Sequence, residues 1–172
     1  MHNLIIRRAQ ESDLPTLGKL GTLLAQTHFD FDSRRFKLGG DASPEGYAAF
    51  LRGQMKHADA AIFVAERDGS VIGYVYAELE PLSWKELREA AGFIHDLEVD
   101  VTHRRSGAGA ALMEAATDWL REQGAPRVIL WTAHENAAAQ QLFSRLGFKR
   151  TMIEMTRELG GDRKGPESEP GS

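Results

Sequence analysis

The sequence contains no cysteine, and this absence excludes several kinds of chemistry. Disulfide bonds, thiolate metal sites and catalysis through a cysteine-bound acyl group all need a cysteine side chain. The six histidines show neither the i, i+4 spacing nor any other spacing typical of metal ligands, so we expect no metal ion.

Long apolar runs and an excess of basic residues are also missing. No stretch reaches the ~18 consecutive apolar residues that span a bilayer, and the N-terminus lacks the apolar core of a secretory signal. Lysine and arginine number 21 against 25 acidic residues, a formal net charge of −4, which disfavours nucleic-acid binding. We therefore expect a cytoplasmic protein with neither membrane nor nucleic-acid partners.

The remaining composition is typical of one globular domain. The chain has 172 residues, of which 42% are hydrophobic and 27% charged, and single domains usually run ~100 to 200 residues. We expect residues 1–159 to form one domain. The stretch 160–172 is polar and rich in glycine, and we expect a disordered tail there because it has little apolar surface to bury.

Hydrophobic periodicity predicts strands alternating with helices. Asp68-Gly69 between two β-rich runs is the typical sequence of a tight hairpin turn. The predicted strands are 4–8, 60–66, 71–79, 93–101, 127–133 and 148–159. The predicted helices are 14 to about 24, 44 to about 57, one that carries the apolar stripe from Leu112 to Leu120 and stops at Gly124, and 136–146, with a loop over 29–44 and a possible helical turn within 84–91.

The predicted strand 93–101 alternates regularly between apolar and polar residues. Regular alternation puts His95, Leu97 and Val99 on one face, and Asp96 and Glu98 on the other. A right-handed crossover through the next helix then makes the strand 127–133 parallel to this one.

The segment between that strand and the following helix is basic and contains glycine. The free amides at a helix start, together with the helix dipole of ~+0.5 charge, favour an anion. The segment has no P-loop motif and lacks the third glycine of the dinucleotide-binding motif. Taken alone, it is equally well explained as a glycine turn with solvated arginines.

Two motifs together give a family resemblance. Arg104-Arg105-Ser106-Gly107-Ala108-Gly109 resembles the R/Q-x-x-G-x-G/A signature of the GNAT superfamily of acyl-coenzyme A-dependent N-acetyltransferases. In that family the signature begins five residues after a valine that ends the central strand, and Val99 has this spacing to Arg104. The segment from Asn136 to Phe148 is similar to the family's N-x-x-A-x-x-L-Y-x-x-x-G-F pattern. The resemblance covers nearly all of residues 4–159.

The resemblance implies an α/β fold with a mixed, mostly antiparallel sheet of six or seven strands, splayed at the cofactor site and flanked by helices. It implies a single N-acetyltransferase domain that moves an acetyl group from acetyl-coenzyme A directly to a primary amine. The cofactor-binding positions that it implies are Leu97, Glu98, Val99, Arg104, Arg105, Ser106, Gly107, Ala108, Gly109, Ala110, Asn136 and Phe143.

The resemblance also suggests the catalytic residues. Several family members carry Glu, Asp or His four residues before the strand-ending valine, a position that His95 holds, so His95 is the first candidate for the base and Glu98 the second. A core histidine bonded to a backbone carbonyl is the alternative. Asp96 and Asp100 are interpreted as solvated or structural. Phe143 stands where many members have a proton-donating tyrosine, which leaves that role to solvent or another hydroxyl.

The acceptor is not specified by any motif. It could be a polyamine, an amino acid, an aminoglycoside-like compound or a protein amine, contacted by the first helix, the following loop and the connection 80–92. Within these segments, Trp84, Glu86 and the run Thr27 to Asp32 are open to either a binding or a structural interpretation. A homodimer is a family-based expectation. The rival functions are a non-catalytic acyl-coenzyme A-binding or sensing module of the same fold and a nucleotide-dependent oxidoreductase.

Overall fold

The computed structural model describes residues 3–36, 38 and 43–159. The predicted tail, 160–172, lies outside the described residues. The elements in chain order are β1 (Leu4–Arg8), α1 (Leu14–Phe31), α2 (Pro44–Gln54), β2 (Ala60–Arg67), β3 (Ser70–Glu80), β4 (Ala91–Val99), α3 (Ala108–Glu122), β5 (Val128–Leu130) and α4 (Ala137–Arg145), with short 3-10 turns at Glu11–Asp13 and Val101–His103. None of the described helices is long and apolar enough to cross a membrane.

The strands form one mixed sheet in the order β1-β2-β3-β4-β5. The first four pair antiparallel, and β5 pairs parallel to β4, as the crossover through α3 predicts. The predicted hairpin is confirmed, because Asp68 and Gly69 take positive φ angles of 50° and 79° in the turn between β2 and β3.

The sheet has five strands among the described residues, and the predicted six or seven is wrong. The predicted strand 148–159 does not form, although its apolar residues have a strand-like pattern. Met152, Ile153 and Met155 are each at least 85% exposed. An apolar pattern alone does not make a strand, since its backbone must also pair with a neighbour. The strand predicted at 127–133 is likewise shorter, ending at Leu130.

The sheet is packed on both faces, and each face has its own core. On one face, α3 and α4 pack against β-strand side chains through residues that include Leu112, Leu120 and Phe143. On the other face, Leu14, Leu17 and the other apolar residues of α1 and α2 cover Tyr74 and Tyr76. The two layers place different chemistry on the two faces of β4.

Two helix ends and one turn differ from the prediction. Helix α1 continues to Phe31, so residues 29–31 belong to the helix rather than to the predicted loop, and α2 ends at Gln54 rather than near His57. Residues 84–87 form a turn closed by a bridge between Ser83 and Arg88 instead of the predicted helical turn. Boundaries of this kind depend on which side chains the rest of the fold covers.

Candidate active site

Strand β4 is irregular at His95. Its pairing with β3 runs from Asp96, opposite Tyr76, directly to Ile94, opposite Ala77, so His95 is an extra residue in a β-bulge. The pairing of β4 with β5 also ends at Ile94, opposite Leu130. The bulge therefore lies where the pairing of the two parallel strands ends, and we call the gap between the two chain segments beyond Ile94 and Leu130 the cleft.

The bulge changes which face each side chain occupies. Leu97 and Val99 pack against the core of α3 and α4. His95 instead contacts the rings of Phe93 and Tyr76, at 5.7 Å and 5.1 Å between centroids, on the face covered by α1 and α2. The predicted common face of His95, Leu97 and Val99 is therefore wrong, because one inserted residue reverses the alternation.

The loop before α3 has the backbone geometry of an anion-binding helix start. Gly107 precedes the helix with φ 87°, a left-handed conformation that favours glycine, and Arg105 also has a positive φ of 63°. No side chain caps this end of α3. The first amides of the helix, from Ala108 to Ala110, thus have no intrahelical acceptor and are available to a ligand.

Two buried hydroxyls beside this cleft have no hydrogen-bond partner among the described residues. They are Ser106 Oγ in the loop and Thr132 Oγ1 just after β5. A Cβ built on Gly109 would lie 3.4 Å from Leu142 and 3.9 Å from Val99, in ordinary contact. Buried polar atoms normally have partners, so the orphaned hydroxyls and free amides fit a cofactor with phosphate and amide groups.

Arg104 and Glu98 form an ion pair at the edge of the loop. Arg104 Nη2 donates to Glu98 Oε1 at 2.9 Å, and its Nε donates to the carbonyl of Val99 at 3.2 Å. Glu98 is 6% exposed. Burial raises the pKa of Glu98, and the hydrogen bond from Arg104 opposes that rise. Arg104 therefore neutralises a buried carboxylate in this structure.

The second motif places its residues beside the same cleft. Asn136 caps α4, where its Oδ1 accepts from the amide of Ala139 at 3.2 Å. Gln140 Nε2 donates to the carbonyls of Ala133 and His134, which ties the segment after β5 to α4. Phe143 is 8% exposed and belongs to the apolar core. The motif therefore contributes to core packing and also holds the segment after β5 in place.

A pocket opens on the opposite face of β4. It consists of two adjoining cavities, of about 250 and 510 Å³, that share Tyr47, His95 and Asp96. The other lining residues are Leu24, Ala25, His28 and Phe36 in the first cavity and Phe50, Gln54, His57, Tyr76 and Glu78 in the second. The pocket is thus built from aromatic, imidazole and carboxylate groups.

Asp96 lies in the wall common to both cavities. Its Oδ2 accepts hydrogen bonds from the hydroxyls of Tyr47 at 2.6 Å and Tyr74 at 3.0 Å. Burial raises the pKa of Asp96, and the two hydrogen bonds oppose the rise. The interpretation of Asp96 as merely solvated or structural is incomplete, because this carboxylate faces the pocket, on the side opposite Leu97, and the bulge brings His95 onto the same side. Asp100, by contrast, is structural, since its side chain caps the 3-10 turn at Thr102.

His95 lies between Asp96 and two glutamates of β3. Its Nε2 is 3.3 Å from Glu80 Oε1 and 3.6 Å from Glu78 Oε2. Glu78 also accepts from the hydroxyl of Tyr76 at 2.7 Å, and Glu80 is paired with Arg88. These carboxylates stabilise a positive charge on the imidazole.

Sequence reasoning missed the tyrosines and glutamates of this pocket. Tyr47 is contributed by α2, Tyr74 and Tyr76 by β3, and Glu78 by the end of β3. The one available signal was the polar hydroxyl on each of three tyrosines in otherwise apolar segments, since buried tyrosines usually hydrogen-bond a partner. The partner could not be identified from the sequence, because Asp96 meets Tyr47 and Tyr74 only when α2, β3 and β4 pack together.

Comparison with known proteins identifies the family. A model of the Acetyltransferase (GNAT) family matches residues 26–148. The chain belongs to this family. Membership confirms the predicted class of enzyme, an N-acetyltransferase that uses acyl-coenzyme A.

Individual relatives differ in how much of them the chain covers. The uncharacterized N-acetyltransferase YhfO of Bacillus subtilis (strain 168) is 28% identical over 146 residues, which are 84% of this chain and 89% of that protein. The uncharacterized N-acetyltransferase MJ1207 of Methanocaldococcus jannaschii is 34% identical over 104 residues, 60% of this chain. The chain spans only 46% of the length of MJ1207.

Solved structures show the same fold. The aminoglycoside N-acetyltransferase AAC(6')-Iy, solved with coenzyme A, superimposes with a TM-score of 0.75 at 19% identity, over 92% of this chain and 95% of that one. A likeness at this identity concerns the fold alone.

Proposed function

We propose that the protein transfers an acetyl group from acetyl-coenzyme A directly to a primary amine. The carrying observation is the position of the bulge at His95. It lies at the mouth of the cleft between β4 and β5, with the free helix amides on one side of the sheet and the acidic aromatic pocket on the other. The cofactor supplies an acetyl thioester, which an amine can attack without a covalent enzyme intermediate.

The cofactor half of the site acts through backbone groups. The amides from Arg105 to Ala110 hold the pyrophosphate, and the orphaned hydroxyl of Ser106 adds a donor. Beyond Ile94, the edge of β4 that faces β5 is no longer paired with it, so the backbone from Leu97 to Val99 can bind an extended arm as an added strand would. Arg104 stays paired with Glu98 and adds positive charge beside the pyrophosphate, and Asn136 and Phe143 complete the proposed set of cofactor contacts.

His95 removes the proton from the attacking amine. It lines both cavities, and the carboxylates of Glu78 and Glu80 stabilise the imidazolium that forms. Glu98, the second candidate, is held in its ion pair with Arg104. This arrangement favours His95 over Glu98 as the base.

The test is release of coenzyme A thiol from acetyl-coenzyme A with a panel of amines. The panel includes alkylamines, diamines, amino acids, a lysine peptide and, because of the structural neighbour, an aminoglycoside. We expect turnover with at least one cationic amine and slow hydrolysis without an acceptor. Tight cofactor binding without turnover on any amine would contradict the proposal.

One observation favours a second candidate, a non-catalytic acyl-coenzyme A sensor. Phe143 has no proton to give to the departing thiolate and is buried in the core. A thiol, whose pKa in water is ~8.5, is nevertheless a good leaving group, and solvent can protonate it. The amine panel separates the two functions, because the sensor binds the cofactor and releases no thiol.

A further inference from the structure

The two oxygens of Asp96 have different surroundings. Both tyrosine hydroxyls, from Tyr47 on α2 and Tyr74 on β3, donate to Oδ2. No described residue donates a hydrogen bond to Oδ1, and this oxygen is not among the unpaired atoms sealed from solvent. The carboxylate is therefore fixed through one oxygen and presents the other to the cavities that it lines.

The groups around Oδ1 are suited to a cation. Rings of Tyr47, His28 and Phe36 line the first cavity, and Tyr76 and Phe50 line the second. Aromatic faces attract cations, and a carboxylate pairs with an ammonium group through charge-assisted hydrogen bonds. Glu78 adds a further carboxylate on the side away from the first cavity, so a substrate carboxylate would meet like charge.

His28 is oriented by its own helix and leaves the pocket open to a donor. Its Nδ1 lies 2.9 Å from the carbonyl oxygen of Leu24, which requires a proton on Nδ1. In the neutral ring, Nε2 is then an acceptor. The pocket thus has acceptors at Asp96 and His28, which match the N–H groups of an ammonium.

We propose that Asp96 binds the ammonium group of the acceptor through Oδ1, and that the acceptor is an alkylamine that carries no carboxylate. This inference rests on the proposed function and names the substrate class of the same site. The bound ammonium gives one proton to His95, and the neutral nitrogen forms the N–C bond as the C–S bond breaks. The electron pair of the C–S bond remains with sulfur, and the second proton that the nitrogen loses passes through solvent to the thiolate.

Three probes of equal chain length test the substrate class. They are 1,4-diaminobutane, butylamine and 4-aminobutyrate, which differ only in the group at the far end. Binding to the coenzyme A-loaded protein is measured by calorimetry, independently of turnover. We expect the diamine to bind most tightly and 4-aminobutyrate most weakly. Equal binding of the three, or binding of none, would overturn the proposal.

Asp96→Asn tests the residue, because asparagine keeps the shape and can still accept from the tyrosines. We expect the dissociation constant of 1,4-diaminobutane to rise at least about tenfold, since a charge-assisted bond is lost. The affinity for coenzyme A should stay within about twofold, because the cofactor amides lie on another element. Unchanged diamine affinity would overturn the assignment. The matched control is Asp118→Asn, which removes the same charge from an exposed position of α3.

Tyr74→Phe separates positioning from general packing. Tyr74 is fully buried and does not line either cavity, so it reaches the acceptor only through Oδ2 of Asp96. We expect the dissociation constant of the diamine to rise about threefold, less than for Asp96→Asn, because a single orienting bond is lost. An Asp96→Asn, Tyr74→Phe double variant should bind the diamine no more weakly than Asp96→Asn alone. Fully additive losses would contradict the positioning role.

The outcomes distinguish this inference from the proposed function. Diamine binding that depends on Asp96, without any thiol release, would contradict acetyl transfer and leave the binding role of Asp96 intact. Acetylation of the diamine that is insensitive to Asp96→Asn would contradict the binding role alone.

Discussion

The two sites that we propose, one on each side of β4, bind by different means. The cofactor side relies on backbone: the amides that open α3, the left-handed Gly107 and the strand edge that β5 leaves unpaired. The acceptor side relies on side chains that come from α1, α2 and β3 and meet around Asp96 and His95. A backbone site depends on local sequence, whereas a side-chain site depends on how distant segments pack.

Loss of the proposed base gives the largest expected effect. His95→Ala should lower kcat by about 100-fold or more, because proton removal by a positioned base contributes ~10²- to 10⁴-fold. The dissociation constant of coenzyme A should change little, since His95 lies on the acceptor side. Steady-state kinetics and calorimetry check both, with His134→Ala as the histidine control. An unaltered kcat would remove His95 from the mechanism.

The matching test of the backbone side is Gly107→Val. A β-branched residue at φ 87° is strained by about 1–2 kcal/mol and places a side chain where the pyrophosphate approaches. We expect the dissociation constant of coenzyme A to rise at least about tenfold. Gly124→Val is the matched control, because Gly124 has φ 82° at the other end of α3 and lacks a ligand role. Equal cofactor affinity in the two variants would contradict the loop assignment.

The pair of Glu98 and Arg104 joins the two sides and should make stability depend on pH. In Arg104→Met, Glu98 remains buried and loses its partner, so its folded-state pKa rises further above the unfolded value. A carboxyl group whose pKa is higher in the folded state favours folding at pH values below its unfolded-state pKa. This contribution to stability is lost as the pH rises through the folded-state pKa.

We therefore expect Arg104→Met to lower the free energy of unfolding by about 1–2 kcal/mol at pH 8 and by less at pH 4. The effect is smaller than for a fully buried ion pair, because Arg104 is half exposed and solvent screens its charge. Urea unfolding at the two pH values checks this. Adding Glu98→Gln should remove the pH dependence. A loss that is equal at both pH values would show that Arg104 acts only by packing.

The smallest expected effect concerns Trp84, which the sequence left open as an acceptor contact. Trp84 is 82% exposed and does not line the two described cavities. Trp84→Ala should leave the KM for amines within about twofold of the wild type, since exposed residues away from a site rarely matter. A large rise in KM would extend the acceptor surface beyond the pocket.

The features that could be predicted from the sequence differ in the same way from those that could not. The hairpin at Asp68-Gly69, the parallel pairing of β4 and β5 and the glycine loop could all be predicted, because turn chemistry and periodicity act locally. The face of His95 could not, since this one bulged residue, fixed by pairing with β3, reverses the alternation. The role of Asp96 could not either, because it depends on tyrosines that distant segments bring to it. The absent last strand has the same cause: its apolar pattern is local, and its pairing is not.

The separation of the two proposed sites is tested most directly by calorimetry on two variants, Gly107→Val and Asp96→Asn. Each variant is titrated with coenzyme A and then with 1,4-diaminobutane. Gly107→Val should lose cofactor affinity and bind the diamine normally once the cofactor is saturating, and Asp96→Asn should do the reverse. Loss of both ligands by either variant, in a protein that remains folded, would contradict the separation of a backbone cofactor site from a side-chain acceptor site.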